Sequence, residues 1–260
     1  LNALGSAAPW TKLAGLPQAP AEDVQLDAAG NQLWVAMRGF GVYSELAPHR
    51  VGDPRVVSAA DMIARAAAPG SLMSVVGARV AAARAGDLPV PVLAAGETES
   101  QIQIPFEARG GTVSLSFDGS AGRKLLPALA LESASPAIFV DRDGSPMLLD
   151  ASTGTMLDAM NPAHSHARIQ ILATGLGLVT PDWPTGLAAP LQDPPRVEVN
   201  VQAWLDGVPV QVTSATLAPG YVGMYLVEVE LPKIVNYGPA ELYLAADGHP
   251  SNRVRVYIEP

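Results

Sequence analysis

Four groups of side chains in this sequence have types and spacings that could do chemistry. Asp141-Arg142-Asp143-Gly144 opens like an oxygen-ligand loop, with Asp150 and Asp158 further along as additional carboxylates. Calcium takes six to eight oxygen ligands, and no acid stands where an EF-hand would close its loop, so a plain Asp-Gly turn competes with a Ca2+ site at Asp141 and Asp143. His164 and His166 are two apart and share a face if extended, which could begin a zinc site, but no third ligand lies nearby in sequence. Glu228 and Glu230 also share a strand face. A glycosidase pair faces across a cleft at about 5–10 Å, so these acids read better as outward charges on a solvated sheet. Trp183, Trp204 and Tyr221 are the aromatic residues that could form a platform for a sugar or a peptide. The competing expectation places Trp204 in a core and Trp183 as the pin of a loop.

Catalysis has little to stand on. There is no Gly-x-Ser-x-Gly elbow. Thr174-Gly175-Leu176-Gly177 lacks the third glycine and the following helix of a dinucleotide loop, because Pro181 and Pro184 come too soon. These glycines are expected to end a strand and allow a tight loop. No catalytic residue is assigned, the chain is read as a non-enzyme, and no cofactor is called for beyond the candidate Ca2+.

The elements that would position these groups are strands. In Ala167–Gly177, Ile169, Ile171 and Ala173 fall on one face of an extended chain with Arg168 and Gln170 on the other, the period of a half-buried strand. Val197–Leu205, the turn Asp206-Gly207 and Val208–Val212 form the clearest hairpin. Gly223–Leu231 alternates again, with Val227, Val229 and Leu231 inward. Earlier strand candidates are Leu72–Val76, Val90–Ala94, Gln101–Ile104, Thr112–Phe117 and Leu125–Leu131. Short strands with turn signals every 8–12 residues are the pattern of an Ig-like sandwich. A short helix capped by Ser58 is expected over residues 58–65, and Ala81–Ala85 reads as a helical turn or a loop.

A cruder copy of the second half lies in the first. Ser71–Val80 resembles Ala167–Gly177. Val90-Pro91-Val92 matches Val208-Pro209-Val210, and Gln101–Pro105 matches Glu228–Pro232. Gly111–Leu115 matches Gly238–Leu242. The expected organisation is therefore all-β: two tandem Ig-like β-sandwich domains over 51–135 and 136–260, the first a reduced copy, preceded by a hairpin segment over 1–50.

Composition bounds the partners. The chain has 260 residues and a net charge of −9 without a Lys/Arg cluster, which disfavours nucleic acid and anionic membrane surfaces. It has no cysteine, so disulfide and thiolate-metal chemistry is excluded. No apolar run is long enough to span a bilayer. The start at Leu1, without a charged n-region, reads as a mature product or a cut fragment of a longer chain.

Two resemblances follow from particular residues. Val24-x-Leu26-Asp27, Asn31-x-Leu33-Trp34-Val35-Ala36 and Gly39-x-Gly41-Val42-Tyr43 resemble one blade of a β-propeller of the sialidase-like and sortilin-like kind. The alternative is an N-terminal hairpin of the first sandwich. A second set comprises Val57–Ala60, Ala68-Pro69-Gly70-Ser71-Leu72, Ser135–Phe139, Asn161-Pro162-Ala163 and Ala173–Gly177, with Leu217–Gly223 and Ser251-Asn252 completing it. Together these residues resemble a C-terminal module found on large secreted proteins of Acidobacteria. The chain departs from that pattern near Gly86–Ala95 and at His164-Ser165-His166. The resemblance implies Ig-like folds, a secreted or cell-surface bacterial location and no assigned activity. The function expected is adhesion, binding of an extracellular glycan or protein, or presentation of an upstream domain. A ligand-free spacer and an accessory part of a secreted enzyme are the alternatives.

Overall fold

The computed structural model describes residues 16–27, 32–46, 54–119, 122–233 and 236–260. Expectations resting on Asn31 and the connector around His49 lie outside them. Every regular element among the described residues is a strand.

Strands β1 (Ala21–Leu26), β2 (Gln32–Met37) and β3 (Gly41–Leu46) form an antiparallel sheet in that order. The expected hairpin is thus a three-stranded meander, and Val35 and Met37 are buried on one side of it.

Eight strands follow: β4 (Arg55–Ser58), β5 (Leu72–Val76), β6 (Val80–Ala85), β7 (Leu88–Val90), β8 (Val92–Ala95), β9 (Glu99–Gln103), β10 (Thr112–Gly119) and β11 (Gly122–Ala130). They make two sheets, β4-β5-β9-β8 and β11-β10-β6-β7. In Ig lettering these are A-B-E-D and G-F-C-C′. Met73, Val75, Ile102 and Ile104 of one sheet share a core with Val80, Ala83, Leu115 and Phe117 of the other.

The remaining strands are β12 (Ala137–Ile138), β13 (Leu148–Asp150), β14 (Ala163–His164), β15 (Arg168–Thr174), β16 (Val179–Thr180), β17 (Arg196–Val197), β18 (Val201–Leu205), β19 (Val208–Leu217), β20 (Tyr225–Glu230), β21 (Gly238–Ala246), β22 (His249–Pro250) and β23 (Val254–Glu259). Their main path runs β12-β15-β20-β19-β18-β21-β23-β14. Long β19 serves both layers: its start pairs with β18 and its end with β20, with a bulge between Val212 and Ser214. A bulge bends a strand and lets it change sheets. In the first sandwich Pro91, which has no N–H to donate, separates β7 from β8 at the same transition. Both sandwiches therefore have the same Ig-like strand order, and the chain is a tandem of Ig-like β-sandwiches.

The registers test the internal repeat. Ile104 N donates to Ser71 O and Leu231 N to Ala167 O, both at 2.9 Å, so Gln101–Pro105 does correspond to Glu228–Pro232. Leu115 pairs with Ala85 as Leu242 pairs with Leu205, so that match also holds. The Val-Pro-Val match does not. Ala85 faces Leu88 as Leu205 faces Val208, so Leu88-Pro89-Val90 is the counterpart of Val208-Pro209-Val210, two residues earlier than expected.

Two local expectations are corrected. Residues 58–65 make a turn instead of a helix: Met62 N bonds Ser58 O, Ser58 N bonds Ile63 O, and Met62 adopts a left-handed φ of 58° that an α-helix excludes. Ala81–Ala85 lies in strand β6, where pairing with β10 and β7 overrides the helix preference of alanine.

Candidate functional site

Several of the motif residues named from the sequence meet where the two sandwiches join. Thr174, at the end of β15, is buried. Its hydroxyl accepts from Leu72 N in the first sandwich and donates to Gly223 O in the second, both at 2.8 Å. Leu72 packs with Ala60, Ala137 and Phe139 in a small core of its own. Gly175 and Gly177 lie against the linker: a Cβ would sit 2.0 Å from Ser135 O and 2.2 Å from Ser133 O respectively, and both residues have positive φ. Sequence alone read these glycines as strand enders; their close backbone approach to the linker is the stronger requirement.

Other motif residues complete the lock. Asn252 uses its side-chain amide like a strand backbone, accepting from Ile138 N at 2.7 Å and donating to Ile138 O at 3.0 Å. Arg65 pairs with Asp61 and donates to Pro136 O at 2.7 Å. Burial pushes the Asp61 carboxyl above its ordinary range despite the Arg65 charge beside it. Tyr225 donates to Gly177 O at 2.5 Å, and burial pushes its phenol up.

The Pro-rich loop between β16 and β17 is a strap across this junction. Thr185 Oγ1 accepts from Phe106 N at 2.9 Å and donates to Glu107 Oε2 at 2.7 Å, while Gly186 N donates to Gln103 Oε1 at 2.7 Å. Trp183 packs on the second core and donates through Nε1 to Leu187 O at 3.1 Å. The strap then meets the turn that carries Tyr221: Ala189 N bonds Tyr221 O, and Gly220 N bonds Ala189 O. This arrangement leaves Leu187, Leu191 and Tyr221 exposed by 52%, 79% and 57% on adjoining segments.

Trp204 belongs to neither the strap nor the core. It stands half-buried on the outer face of β18 and stacks on Tyr243 of β21, with centroids 6.0 Å apart and planes 5° from parallel. Arg253 covers Tyr243 at 4.5 Å from the ring centroid. With Pro209 opposite Trp204 on β19, this is a cross-strand ladder whose ring faces are directed at neighbours along the sheet. The structure thus joins Trp183 and Tyr221 through one loop cluster and separates Trp204 from them. Tyr243 and Arg253 escaped sequence reasoning because their pairing with Trp204 depends on the β18–β21 register.

The candidate Ca2+ residues form a tight turn. Asp141 Oδ1 accepts from Asp143 N and Ser145 N, each at 2.9 Å. Asp150 accepts from the Ser152 hydroxyl, foremost, and from Thr153 N and other turn groups, which lower its pKa to about 2. Among the described residues no group of three or more His, Asp or Glu is placed to hold a metal. His164 lies 3.4 Å from Glu259, and His166 lies 3.3 Å from Glu230. Glu228 faces Arg168 at 3.1 Å, and Gln170 and Thr213 also bond it, so the acids of β20 sit in a cross-strand polar ladder.

No protein-family model matches the chain, and no curated protein matches its sequence. Among solved structures, it is similar to the Bacteroides ovatus mixed-linkage glucan utilization locus SGBP-B in complex with a mixed-linkage heptasaccharide, with 12% identity over 88% of this chain and 53% of that one and a TM-score of 0.36. SGBP-B from a complex xyloglucan utilization locus in Bacteroides uniformis matches with 11% identity over 78% and 49%, TM-score 0.27. A titin Ig tandem matches with 8% identity over 75% and 90%, TM-score 0.24. The chain spans about half the length of the two SGBP-B structures. The Ig-like assignment stands on the strand order of both sandwiches. No helix among the described residues is long and apolar enough to cross a membrane.

Proposed function

We propose that this chain is a non-enzymatic, extracellular bacterial module pair that binds an extracellular glycan through the loop surface of its second sandwich. The observation that carries the proposal is the exposure of Tyr221, Leu187 and Leu191 on segments held by main-chain bonds. Aromatic and apolar side chains kept in water on a fixed loop are a recognition surface: a ring can stack on the C–H face of a sugar, and little loop entropy is lost on binding. Trp183 supports the surface from beneath. The buried junction at Thr174 holds the two sandwiches at one angle, so a ligand would be presented at a set distance from whatever the chain is attached to.

The test is a polysaccharide array probed with the purified chain and with Tyr221→Ala, with and without calcium. Saturable binding lost in Tyr221→Ala supports the surface. Binding that requires calcium and is lost in Asp141→Asn would move the site to the Asp141 turn. No binding to any glycan overturns the reading and favours a rigid spacer, for which the Thr174 junction and the Trp204–Tyr243 ladder are sufficient explanation.

A further inference from the structure

A groove of about 240 Å³ opens where the first sandwich, the linker and the second sandwich meet. Pro69, Leu178 and Val199 give it an apolar floor, and Arg109, Glu132 and Glu198 stand at its polar rim. Each rim side chain is oriented by a neighbour. Arg109 Nη1 donates to Ala108 O at 2.9 Å and to Phe106 O. Glu198 Oε1 accepts from Thr180 Oγ1 at 2.7 Å. Glu132 Oε2 pairs with His249 Nε2 at 2.7 Å. Such a contact engages one terminal atom of each group. A carboxylate has a second oxygen and a guanidinium has further N–H donors, so rim atoms beyond those in these bonds are available to a guest.

We infer that this groove binds one pyranose ring of a glycan. A sugar ring has a C–H face that suits an apolar floor and a belt of hydroxyls that both donate and accept. Glu132 and Glu198 accept from hydroxyls, and Arg109 donates to hydroxyl or ring oxygens, charge-assisted bonds stronger than neutral ones. One cation among two carboxylates leaves the rim net negative, which repels a polyanion. The volume lies below the roughly 300–1,000 Å³ of pockets for drug-sized ligands, which limits the guest to about one ring. The groove is separate from the Tyr221 surface and shares with the reading above only the ligand class. It also requires the junction, because both sandwiches and the linker line it.

The test is a 1H–15N NMR titration of the whole chain with methyl glycosides of glucose, galactose, mannose and N-acetylglucosamine, each taken to about 20 mM, where millimolar affinity saturates. The expected result is saturable shifts of the Arg109, Gly110, Glu198 and Val199 amides with at least one glycoside. Arg109→Ala should weaken that binding about tenfold or more, the loss of a charge-assisted bond, and the near-isosteric Glu198→Gln should weaken it while leaving the remaining spectrum in place. Glycoside-induced shifts confined to the Tyr221 turn would overturn the groove and leave the glycan reading standing. Shifts at the groove with glycine or sulfate but with none of the glycosides would overturn the ligand class. Shifts at neither place would overturn the groove, and the polysaccharide array then decides the glycan reading separately.

Discussion

Replacing Thr174 by Val removes a hydroxyl and changes the shape little. Two main-chain groups depend on that hydroxyl, Leu72 N from one sandwich and Gly223 O from the other. Thr174 is 1% exposed, so no water replaces it. Each buried polar group left unpaired costs about 1–3 kcal/mol, the N–H more than the carbonyl because the carbonyl has a second lone pair. The sum for Thr174→Val is about 2–5 kcal/mol. Thr174→Ser keeps both bonds and loses a buried methyl, about 1 kcal/mol. At about 2–4 °C per kcal/mol for a unit of 150–250 residues, Val should lower Tm by about 4–20 °C and Ser by about 2–4 °C. Urea unfolding followed by tryptophan fluorescence supplies the free energies, and small-angle scattering follows the distance between sandwiches. Thr174→Val should also broaden the interdomain distance distribution. If Thr174→Val proves no less stable than Thr174→Ser, the hydroxyl does not couple the sandwiches, and the account of the junction fails.

Further outcomes follow from the same structure. Gly175→Ala places a Cβ 2.0 Å from Ser135 O at a φ of +78°, so it should cost more than about 3 kcal/mol and give little folded protein by circular dichroism. Tyr243→Ala strips the ladder of its middle member and should destabilise the chain by about 1–3 kcal/mol in urea, while leaving any glycan binding at Tyr221 unchanged. Asp150 has a folded pKa lowered to about 2, so it adds stability above its unfolded value near 4 that is lost as pH falls from about 4 to about 2. Carbon-detected NMR titration should find its midpoint near 2, and Asp150→Asn should flatten that part of the acid-unfolding curve.

Much of the architecture was legible because a strand with one wet face writes itself as alternation. Ile169, Ile171 and Ala173, and Val227, Val229 and Leu231, are all fully buried, as their spacing required. The Asp206-Gly207 turn was equally plain, because its two residues take positive φ, at 49° and 77°. Ala81–Ala85 was not legible: alanine carries almost no directional signal, and only pairing on both sides makes it a strand. The two-residue error in the Val-Pro-Val match has a similar cause, since Val90-Pro91-Val92 and Leu88-Pro89-Val90 look alike and only hydrogen-bond register separates them.

By itself the sequence determined the all-β class, the internal repeat, the lack of thiol chemistry and the net negative charge. These depend on local periodicity and on totals, which a linear chain carries openly. The tertiary structure decided what the motifs are for. Thr174, Gly175, Gly177 and Asn252 find their partners 102, 40, 44 and 114 residues away, at Leu72, Ser135, Ser133 and Ile138. It also decided that Trp204 joins Tyr243 in a ladder while Tyr221 stays in water. Contacts across such separations are set by sheet register and by the meeting of two folded layers, and no local pattern of residues encodes either.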